Sequence, residues 1–465
     1  MINERLDATL KALEQDMLDT LRAWLRVPSV KGDAAPGAPF GQDVRRSLDM
    51  ALADGKRLGF AARDIDGYAC DMEMGAGEEI IGILAHLDVV PAGDGWRHAP
   101  FGAEIEGGKL YGRGVTDDKG PAVAALFAMK AVLNAGIPLK KRVRLVLGCD
   151  EESGWKDMDY YRQKIGLPAV GFSPDACYPL INTEKGIEHC YLRAQLPPEG
   201  TAAFPVYRVR AGQRPNVIPG TAQAEIGGDI ARIRATMADF SAQSGWPITV
   251  DGLPGGRALL TCTGVTGHAS MPELGRNAAA GLLLALDSLG AGGGSRPALA
   301  LLAQALGRDS DGSGLGIAGG DVVSGPLTLN LGILDLAEGV CTATLDIRYP
   351  VMFSPEQLTK FIALRLAPAG FTVTHGDGQP PHHVPESAPV VQTLLRVYSE
   401  LTGEPAKPLA IGGGTFARAM GQAVAFGCTF PGQDELAHQA DEYMSLVDLS
   451  RNARIFAYAI VALAG

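Results

Sequence analysis

The chain has 465 residues, of which 46% are hydrophobic and 20% charged, a composition typical of globular proteins. At about 150 residues per domain, this length predicts two to three domains with large cores. The net charge of −11 and the lack of a lysine- and arginine-rich run argue against nucleic acid and anionic membranes as partners.

The N-terminal 26 residues and the cysteines indicate where such a protein would function. Spaced leucines among charged residues predict an amphipathic N-terminal helix rather than a signal peptide. No uncharged apolar run reaches 18 residues, so no membrane span is expected. The seven cysteines are scattered and form no Cys-x-x-Cys pair, which predicts reduced thiols and a cytoplasmic location.

The first candidate metal ligands follow an apolar run at residues 80–85, which predicts a buried strand. His86 and Asp88 lie two residues apart, so their side chains would leave the same face of an extended chain. Open α/β sheets bind their ligands at such strand ends. The imidazole could bind a metal ion while the carboxylate orients it, or the two residues could form a purely structural pair.

A glycine-rich segment and a helix come next along the chain. Residues 111–121 read Tyr-Gly-Arg-Gly-Val-Thr-Asp-Asp-Lys-Gly-Pro, and residues 122–133 predict a helix. The glycines permit sharp turns, and the two aspartates stand close to the helix N-terminus. The segment could therefore supply a metal ligand or simply cap the helix.

Further acidic residues follow the next predicted strands. Residues 140–147 alternate polar and apolar side chains, and Cys-Asp-Glu-Glu-Ser-Gly follows at 149–154. Neighbouring acids repel one another and lose hydration unless a cation neutralises them, although a solvated acidic turn is the alternative. Asp175 ends another short segment, and His438 lies near the C-terminus.

The pattern of elements predicts one catalytic domain interrupted by an insertion. Up to about residue 186, strands and helices alternate as in a layered α/β sheet. The middle predicts a strand–helix–strand–strand–helix–strand order typical of a ferredoxin-like fold, at residues 257–263, 277–289, 326–336, 339–348, 355–366 and 371–374. The predicted domains are therefore residues 1–186 and 382–465, which form the catalytic domain, and residues 187–381, which form the insertion.

Two histidines and several carboxylates at strand and loop ends make up the nitrogen and oxygen ligand set that two zinc-like ions need. The motifs in which they occur resemble those of the di-zinc aminoacylase, carnosinase and bacterial PepV-type dipeptidase family. These motifs are His86-Leu87-Asp88 and residues 112–121, 150–154, 173–175 and 438–442. The resemblance covers essentially the whole chain, and the Asp-Asp-Lys-Gly-Pro run favours the PepV-like branch. It implies a zinc-exopeptidase-like layered α/β catalytic domain with an inserted α+β ferredoxin-like lid domain.

The resemblance also implies roles for individual residues. It implies two divalent ions, most simply zinc, with manganese or cobalt as alternatives, and Glu151 as the general base. In the family pattern, Asp117 bridges the two ions and Asp88 supports His86. The remaining ligands would be His86 and Asp175 for one ion, and Glu152 and His438 for the other.

Three features of the insertion and the segment after it bear on substrate binding. His268 lies in a glycine-flanked turn, and the resemblance makes it a lid residue that stabilises the oxyanion, although an ordinary loop histidine is the alternative. Arg348, at the end of a strand, could be a salt-bridged edge residue, but in PepV-like enzymes it and Asn216 would contact substrate. A run of bare backbone amides near residue 411 could cradle an anion or form a flexible turn, and its substrate-binding candidates are Gly413, Gly414 and Thr415.

The expected function is that of a cytoplasmic metallo-dipeptidase. Its partner would be a small peptide with a free amine and a free carboxylate. The alternative within the same fold is an N-acyl-amino-acid deacylase, and the alternative from another class is a non-catalytic metal-binding protein. Because a lid within one chain can replace a dimer partner, we expect a monomer.

Overall fold

The computed structural model describes residues 2–465 and divides them into two compact units. The first unit contains residues 2–183, 383–409 and 414–465, and the second contains residues 184–382 and 410–413. The insertion predicted at residues 187–381 falls within the second unit.

The first unit is built on a mixed sheet. Four neighbouring strands of this sheet are parallel, in the order Arg142–Gly148, Ile80–His86, Val170–Ser173 and Gln422–Ala425. Antiparallel strands Ala69–Met74 and Ala61–Ile65 extend it beyond Arg142–Gly148. The same sheet also includes the short strands Ile181–Glu184, His382–His383 and Leu409–Ile411.

A buried helix, Lys119–Asn134, forms the centre of the first unit's core. Thirteen of its residues are buried, and it contacts the N-terminal helix and the C-terminal helix. It begins three residues before the predicted position because Pro121 lies in its first turn, where the missing N–H is not needed. The six helices of the first unit are Glu4–Leu25, Gln42–Arg57, Lys119–Asn134, Lys156–Lys164, Pro389–Thr402 and Leu446–Ala464.

Smaller elements complete the first unit. A three-stranded sheet contains Glu104–Glu106, Lys109–Tyr111 and Tyr443–Ser445. A two-stranded ladder joins Ala176–Cys177 to Cys428–Thr429, and a 3-10 helix covers Phe416–Ala419. The three-stranded sheet brings the chain just after residue 438 next to the glycine-rich segment at 112–117.

The second unit contains one antiparallel sheet of eight strands. In spatial order, these are Ile248–Leu253, Arg257–Thr263, Thr221–Gly227, Val206–Ala211, Thr328–Ala337, Val340–Tyr349, Gly186–Gln195 and Thr372–Gln379. Its helices are Ile230–Ser244, Ala278–Leu289, Arg296–Leu306 and Pro355–Leu366, with 3-10 turns at Pro272–Leu274, Ser313–Leu315 and Ala367–Ala369. Short ladders pair Val217–Ile218 with Gly267–His268 and Gly320–Asp321 with Gly325–Pro326.

The two units confirm the predicted fold class, a layered α/β fold with an inserted α+β domain. All six elements predicted for the ferredoxin-like pattern are present, but the sheet is larger than that pattern because strands between residues 186 and 253 also join it. No helix among residues 2–465 is long and apolar enough to cross a membrane.

Candidate metal centre and substrate-binding residues

Three of the predicted ligands follow three neighbouring parallel strands. His86 is the last residue of Ile80–His86, Glu152 comes four residues after Arg142–Gly148, and Asp175 comes two residues after Val170–Ser173. Because these strands are parallel and adjacent, their carboxyl ends lie at one edge of the sheet. The topology therefore collects residues that are far apart in sequence at one place.

Asp117 lies between the two histidines. Its Oδ1 is 2.9 Å from Nε2 of His86, and its Oδ2 is 2.9 Å from Nε2 of His438. Each carboxylate oxygen thus faces a different imidazole. A carboxylate in this position can bind two cations at once, one through each oxygen.

The same Nε2 atom of each imidazole also faces a second carboxylate. Nε2 of His86 is 3.6 Å from Oδ2 of Asp175, and Nε2 of His438 is 3.1 Å from Oε2 of Glu152. The five side chains form an alternating row with Asp117 in the middle. The row has two ends with the same composition, one imidazole and one carboxylate in addition to the shared Asp117.

His86 is held so that Nε2 faces this row. Its Nδ1 lies 2.9 Å from the backbone oxygen of Asp88 and 3.5 Å from the Asp88 carboxylate. A carbonyl oxygen can only accept, so neutral His86 carries its proton on Nδ1 and presents a lone pair at Nε2. The Asp88 carboxylate has a further task, because it accepts hydrogen bonds from the backbone N–H groups of Glu151 (3.2 Å) and Glu152 (3.1 Å).

Of the three consecutive acids at 150–152, Asp150 is paired away from the alternating row. Asp150 is fully buried, and its Oδ1 is 2.5 Å from Nζ of Lys31 and 2.7 Å from the hydroxyl of Ser153. The predicted repulsion within residues 150–152 is therefore relieved partly by a lysine 119 positions earlier in the chain. The turn that follows the strand places Oε2 of Glu152 3.1 Å from Nε2 of His438, and the charge of His86 lowers the pKa of both Glu151 and Glu152 against the effect of burial.

The imidazoles hold protons strongly in this environment. Burial lowers the pKa of His438, but hydrogen bonds to Asp117 and Glu152 outweigh it and raise the pKa to about 11. The pKa of His86 likewise ends well above its ordinary value, although burial opposes the increase. Burial acts to raise the pKa of Asp117, yet the two imidazoles bring it below the ordinary value.

The pKa values of the two glutamates are raised, in contrast to that of Asp117. Burial raises the pKa of Glu152 to about 7, helped by the charge of Asp117 and opposed by His438. Burial also raises the pKa of Glu151 well above its ordinary value. Carboxyl groups with raised pKa values in a cluster of acids are typical of sites that handle protons.

The donor set fits a divalent cation. His86 with Asp117 and Glu152, and His86 with Asp118 and Asp175, each bring three possible ligand atoms within 4.8 Å of one another. Oε1 of Glu152 and Oδ1 of Asp118 are buried without a hydrogen-bond partner, which is costly unless a cation or a proton satisfies them. Nitrogen and carboxylate ligands of this kind suit zinc, manganese or cobalt.

Asp118 is a residue that the sequence analysis did not single out. It is fully buried, and its Oδ2 accepts a hydrogen bond from the backbone N–H of His86 at 3.1 Å. Its neighbour Asp117 carries the same side chain, so the sequence offers no signal for their different directions.

In the second unit, the structure brings the segments of His268 and Asn216 together. His268 pairs with Val217 in a two-stranded ladder, and the backbone N–H of Ala269 donates to the backbone oxygen of Asn216 at 2.9 Å. Nδ1 of His268 lies 2.6 Å from the hydroxyl oxygen of Ser270 and 3.3 Å from its backbone nitrogen. A neutral His268 whose Nδ1 accepts from Ser270 carries its proton on Nε2, and this tautomer can donate a hydrogen bond to an oxyanion.

Arg348 lies in an interior strand and is 4% exposed, so the alternative of an edge residue is wrong. Its Nε and Nη2 donate to the two carboxylate oxygens of Asp346 at 2.7 and 2.9 Å, and its Nη1 donates to the backbone oxygen of Gly412 at 3.0 Å. The salt bridge expected for an arginine is present. These contacts engage three of the five N–H groups of the guanidinium.

The glycine run near residue 411 is divided between the units. Gly413 belongs to the second unit, and Gly414 and Thr415 belong to the first. The hydroxyl oxygen of Thr415 accepts from the backbone N–H of Ala417 at 3.1 Å and caps a four-residue 3-10 helix. A side chain on Gly414 would meet the guanidinium of Arg418, so this position is closely packed.

Comparison with known proteins gives the family of the chain. Residues 82–462 match the model of peptidase family M20/M25/M40. The chain is 37% identical over 459 residues to "Putative dipeptidase YtjP" of Bacillus subtilis, covering 97% of this chain and 98% of that protein. It is 34% identical over 464 residues to "Putative dipeptidase" of Staphylococcus epidermidis, with 97% of both chains covered.

Solved structures share the fold at low sequence identity. Human carnosine dipeptidase 1 matches with a TM-score of 0.58 at 15% identity and covers 99% of both chains. The dipeptidase Dug1p from Saccharomyces cerevisiae matches with a TM-score of 0.61 at 14% identity, covering 99% of this chain and 98% of that one. The resemblance inferred from the motifs is confirmed: the chain belongs to peptidase family M20/M25/M40 and is a peptidase.

Proposed function

We propose that the chain is a metal-dependent dipeptidase that hydrolyses dipeptides with a free N-terminus and a free C-terminal carboxylate. The observation that carries this proposal is the position of Asp117, with one oxygen 2.9 Å from His86 and the other 2.9 Å from His438. The names of relatives that are 37% and 34% identical over nearly the full chain support the dipeptide substrate.

Under this proposal, the alternating row holds two divalent ions, most simply zinc. Asp117 would contribute an oxygen to each ion. His86 and Asp175 would complete one set of ligands, and His438 and Glu152 the other. When bound, the two ions polarise the scissile carbonyl and lower the pKa of the attacking water.

Glu151 then serves as the general base and acid. Its carboxylate takes a proton from water as the water oxygen bonds to the carbonyl carbon. The same proton passes to the leaving nitrogen as the C–N bond breaks. The backbone N–H of Glu151 donates to the Asp88 carboxylate at 3.2 Å, which holds the backbone of this residue in place.

We further propose that residues of the second unit bind the substrate. His268 would donate from Nε2 to the oxygen that becomes negative, and Arg348 would bind the terminal carboxylate with the two N–H groups not engaged by Asp346 and Gly412. Asn216, on the segment paired with His268, would contact the peptide, as would the backbone amides of the run containing Gly413, Gly414 and Thr415.

The remaining proposals concern the molecule as a whole. All seven cysteines are free thiols, which supports a reducing, cytoplasmic location. A monomer remains our proposal, with small peptides as the only partners and neither nucleic acid nor membrane among them.

The test is hydrolysis of a matched panel of dipeptides, tripeptides and N-acyl amino acids, with zinc, manganese or cobalt added. We expect turnover of dipeptides and little turnover of tripeptides. Activity confined to N-acyl amino acids would contradict the proposal and identify a deacylase. Metal binding without turnover of any amide would instead identify a binding protein.

A further inference from the structure

Glu442 is fully buried and lies in a pocket made only of hydrogen-bond donors. Its Oε2 accepts from Nη1 of Arg113 at 2.7 Å and from the backbone N–H of Gly114 at 3.1 Å. Its Oε1 accepts from the backbone N–H and the hydroxyl of Thr116, both at 2.8 Å, and from the backbone N–H of Asp117 at 3.3 Å. Both oxygens of Glu442 are used and every partner can donate, so these contacts are the kind that a carboxylate makes.

The backbone of Glu442 reinforces the same contact. Its carbonyl oxygen accepts from the backbone N–H of Gly112 at 3.0 Å. The segment at 112–117, which ends with Asp117, therefore surrounds Glu442. Glu442 also stands four positions after His438, the imidazole that faces Oδ2 of Asp117 at 2.9 Å.

Glu442 thus joins the two loops that meet at the centre of the row. Its side chain accepts a hydrogen bond from the backbone N–H of Asp117, and its backbone belongs to the same loop as His438. We infer that Glu442 is a positioning residue, which sets the Asp117 carboxylate against His438 and so controls the affinity of the site for both metal ions. This inference rests on the proposed role of Asp117 as the shared ligand.

The adjacent residue provides a contrast. Asp441 also accepts backbone hydrogen bonds, from Arg97 at 2.8 Å and His98 at 3.1 Å, and pairs with Nε of Arg97 at 2.6 Å. It therefore anchors the same loop through three contacts of its own side chain. None of these contacts reaches the segment that contains Asp117. Asp441 should therefore stabilise the loop without affecting the position of the shared ligand Asp117.

The test compares Glu442→Gln with Asp441→Asn in the full-length, metal-loaded protein. A glutamine can accept with only one of its two terminal atoms, so two or more donors around Oε1 or Oε2 would face an NH2 group. We expect Glu442→Gln to release both ions to a competing chelator at a concentration about 10–100-fold lower than the wild type requires, the range for losing a residue that orients ligands. Asp441→Asn should release them at the wild-type concentration.

The absorption spectrum of the cobalt-loaded protein gives a second readout. Glu442→Gln should shift the visible bands that report ligand geometry, and Asp441→Asn should not. Thr116→Val removes only the hydroxyl donor, keeps the charge of Glu442 and should show a smaller change in the same direction. It decides the matter if Glu442→Gln does not fold.

The possible results separate this inference from the proposed function. If the wild type holds no ions at this site, the proposed function fails. If the wild type holds two ions and Glu442→Gln is thermally less stable but keeps wild-type chelator resistance and cobalt spectrum, the proposed function stands and Glu442 is only a stabilising ion pair. Wild-type behaviour of Thr116→Val in both assays would overturn the inference in the same way.

Discussion

Replacing Glu151 with glutamine should separate proton transfer from metal binding. The change keeps the size of the side chain and leaves the backbone N–H of Glu151 bound to Asp88 at 3.2 Å. An amide cannot take a proton from water at neutral pH, however. We therefore expect the ions to stay bound while kcat falls by about 10²–10⁴, the usual contribution of a general acid or base.

Converted at about 1.4 kcal/mol per factor of ten, this loss corresponds to about 3–6 kcal/mol of barrier height. Glu152→Gln is the matched control. The backbone N–H of Glu152 donates to the other oxygen of Asp88 at 3.1 Å, so both variants change neighbouring residues in the same turn. Since Oε2 of Glu152 is 3.1 Å from Nε2 of His438, the control should lose a metal ion as well as activity.

The assay measures kcat on one good dipeptide with saturating metal, together with elemental analysis of the dialysed protein. Wild-type turnover in Glu151→Gln combined with both ions retained in Glu152→Gln would show that the two glutamates have exchanged roles. Loss of metal from Glu151→Gln would show that its carboxylate is a ligand.

Three further predictions concern the histidines and the arginine. His438→Ala should retain one ion instead of two and lose most activity, whereas an unchanged metal count in elemental analysis would exclude His438 as a ligand. Because the pKa of His438 is raised to about 11, its imidazole is charged at pH 7, and a metal ion must displace its proton. Metal binding should therefore release protons, and metal affinity should rise with pH towards about 11. Calorimetry in two buffers of different ionisation enthalpy measures this proton release. His268→Ala should lower kcat more than it raises KM. Arg348→Ala should mainly raise KM, and Arg348→Lys should not restore the wild-type KM. Near wild-type kcat and KM in both alanine variants would show that neither residue binds the substrate.

The sequence predicts the ligand-bearing edge well because the relevant signals are local. An apolar run ending at His86 and an alternating run ending near Gly148 each define a strand, and parallel strands place their carboxyl ends together. Which histidine faces which carboxylate is not local. The order Asp175, His86, Asp117, His438, Glu152 follows from tertiary contacts, and the motifs suggest it only through the family resemblance.

Residues that act through long-range contacts were missed or misjudged. The repulsion expected within residues 150–152 is partly relieved by Lys31, which no local pattern connects to Asp150. The pairing of Arg348 with Asp346 was within reach of sequence reasoning, since residues two apart share one face of a strand. Among the early strands of the second unit, Gly186–Gln195 pairs with the distant Val340–Tyr349, which no local pattern indicates. Ile248–Leu253, by contrast, pairs with its near neighbour Arg257–Thr263.

The central claim is that two ions share Asp117 and that hydrolysis needs both. The most direct measurement is a titration of metal-free protein with zinc, manganese or cobalt in which bound metal and dipeptide hydrolysis are followed together. We predict that both curves reach their plateau at two ions per chain, and that Asp117→Asn reaches neither. A plateau of activity at one ion per chain, or full activity in excess chelator, would contradict the claim.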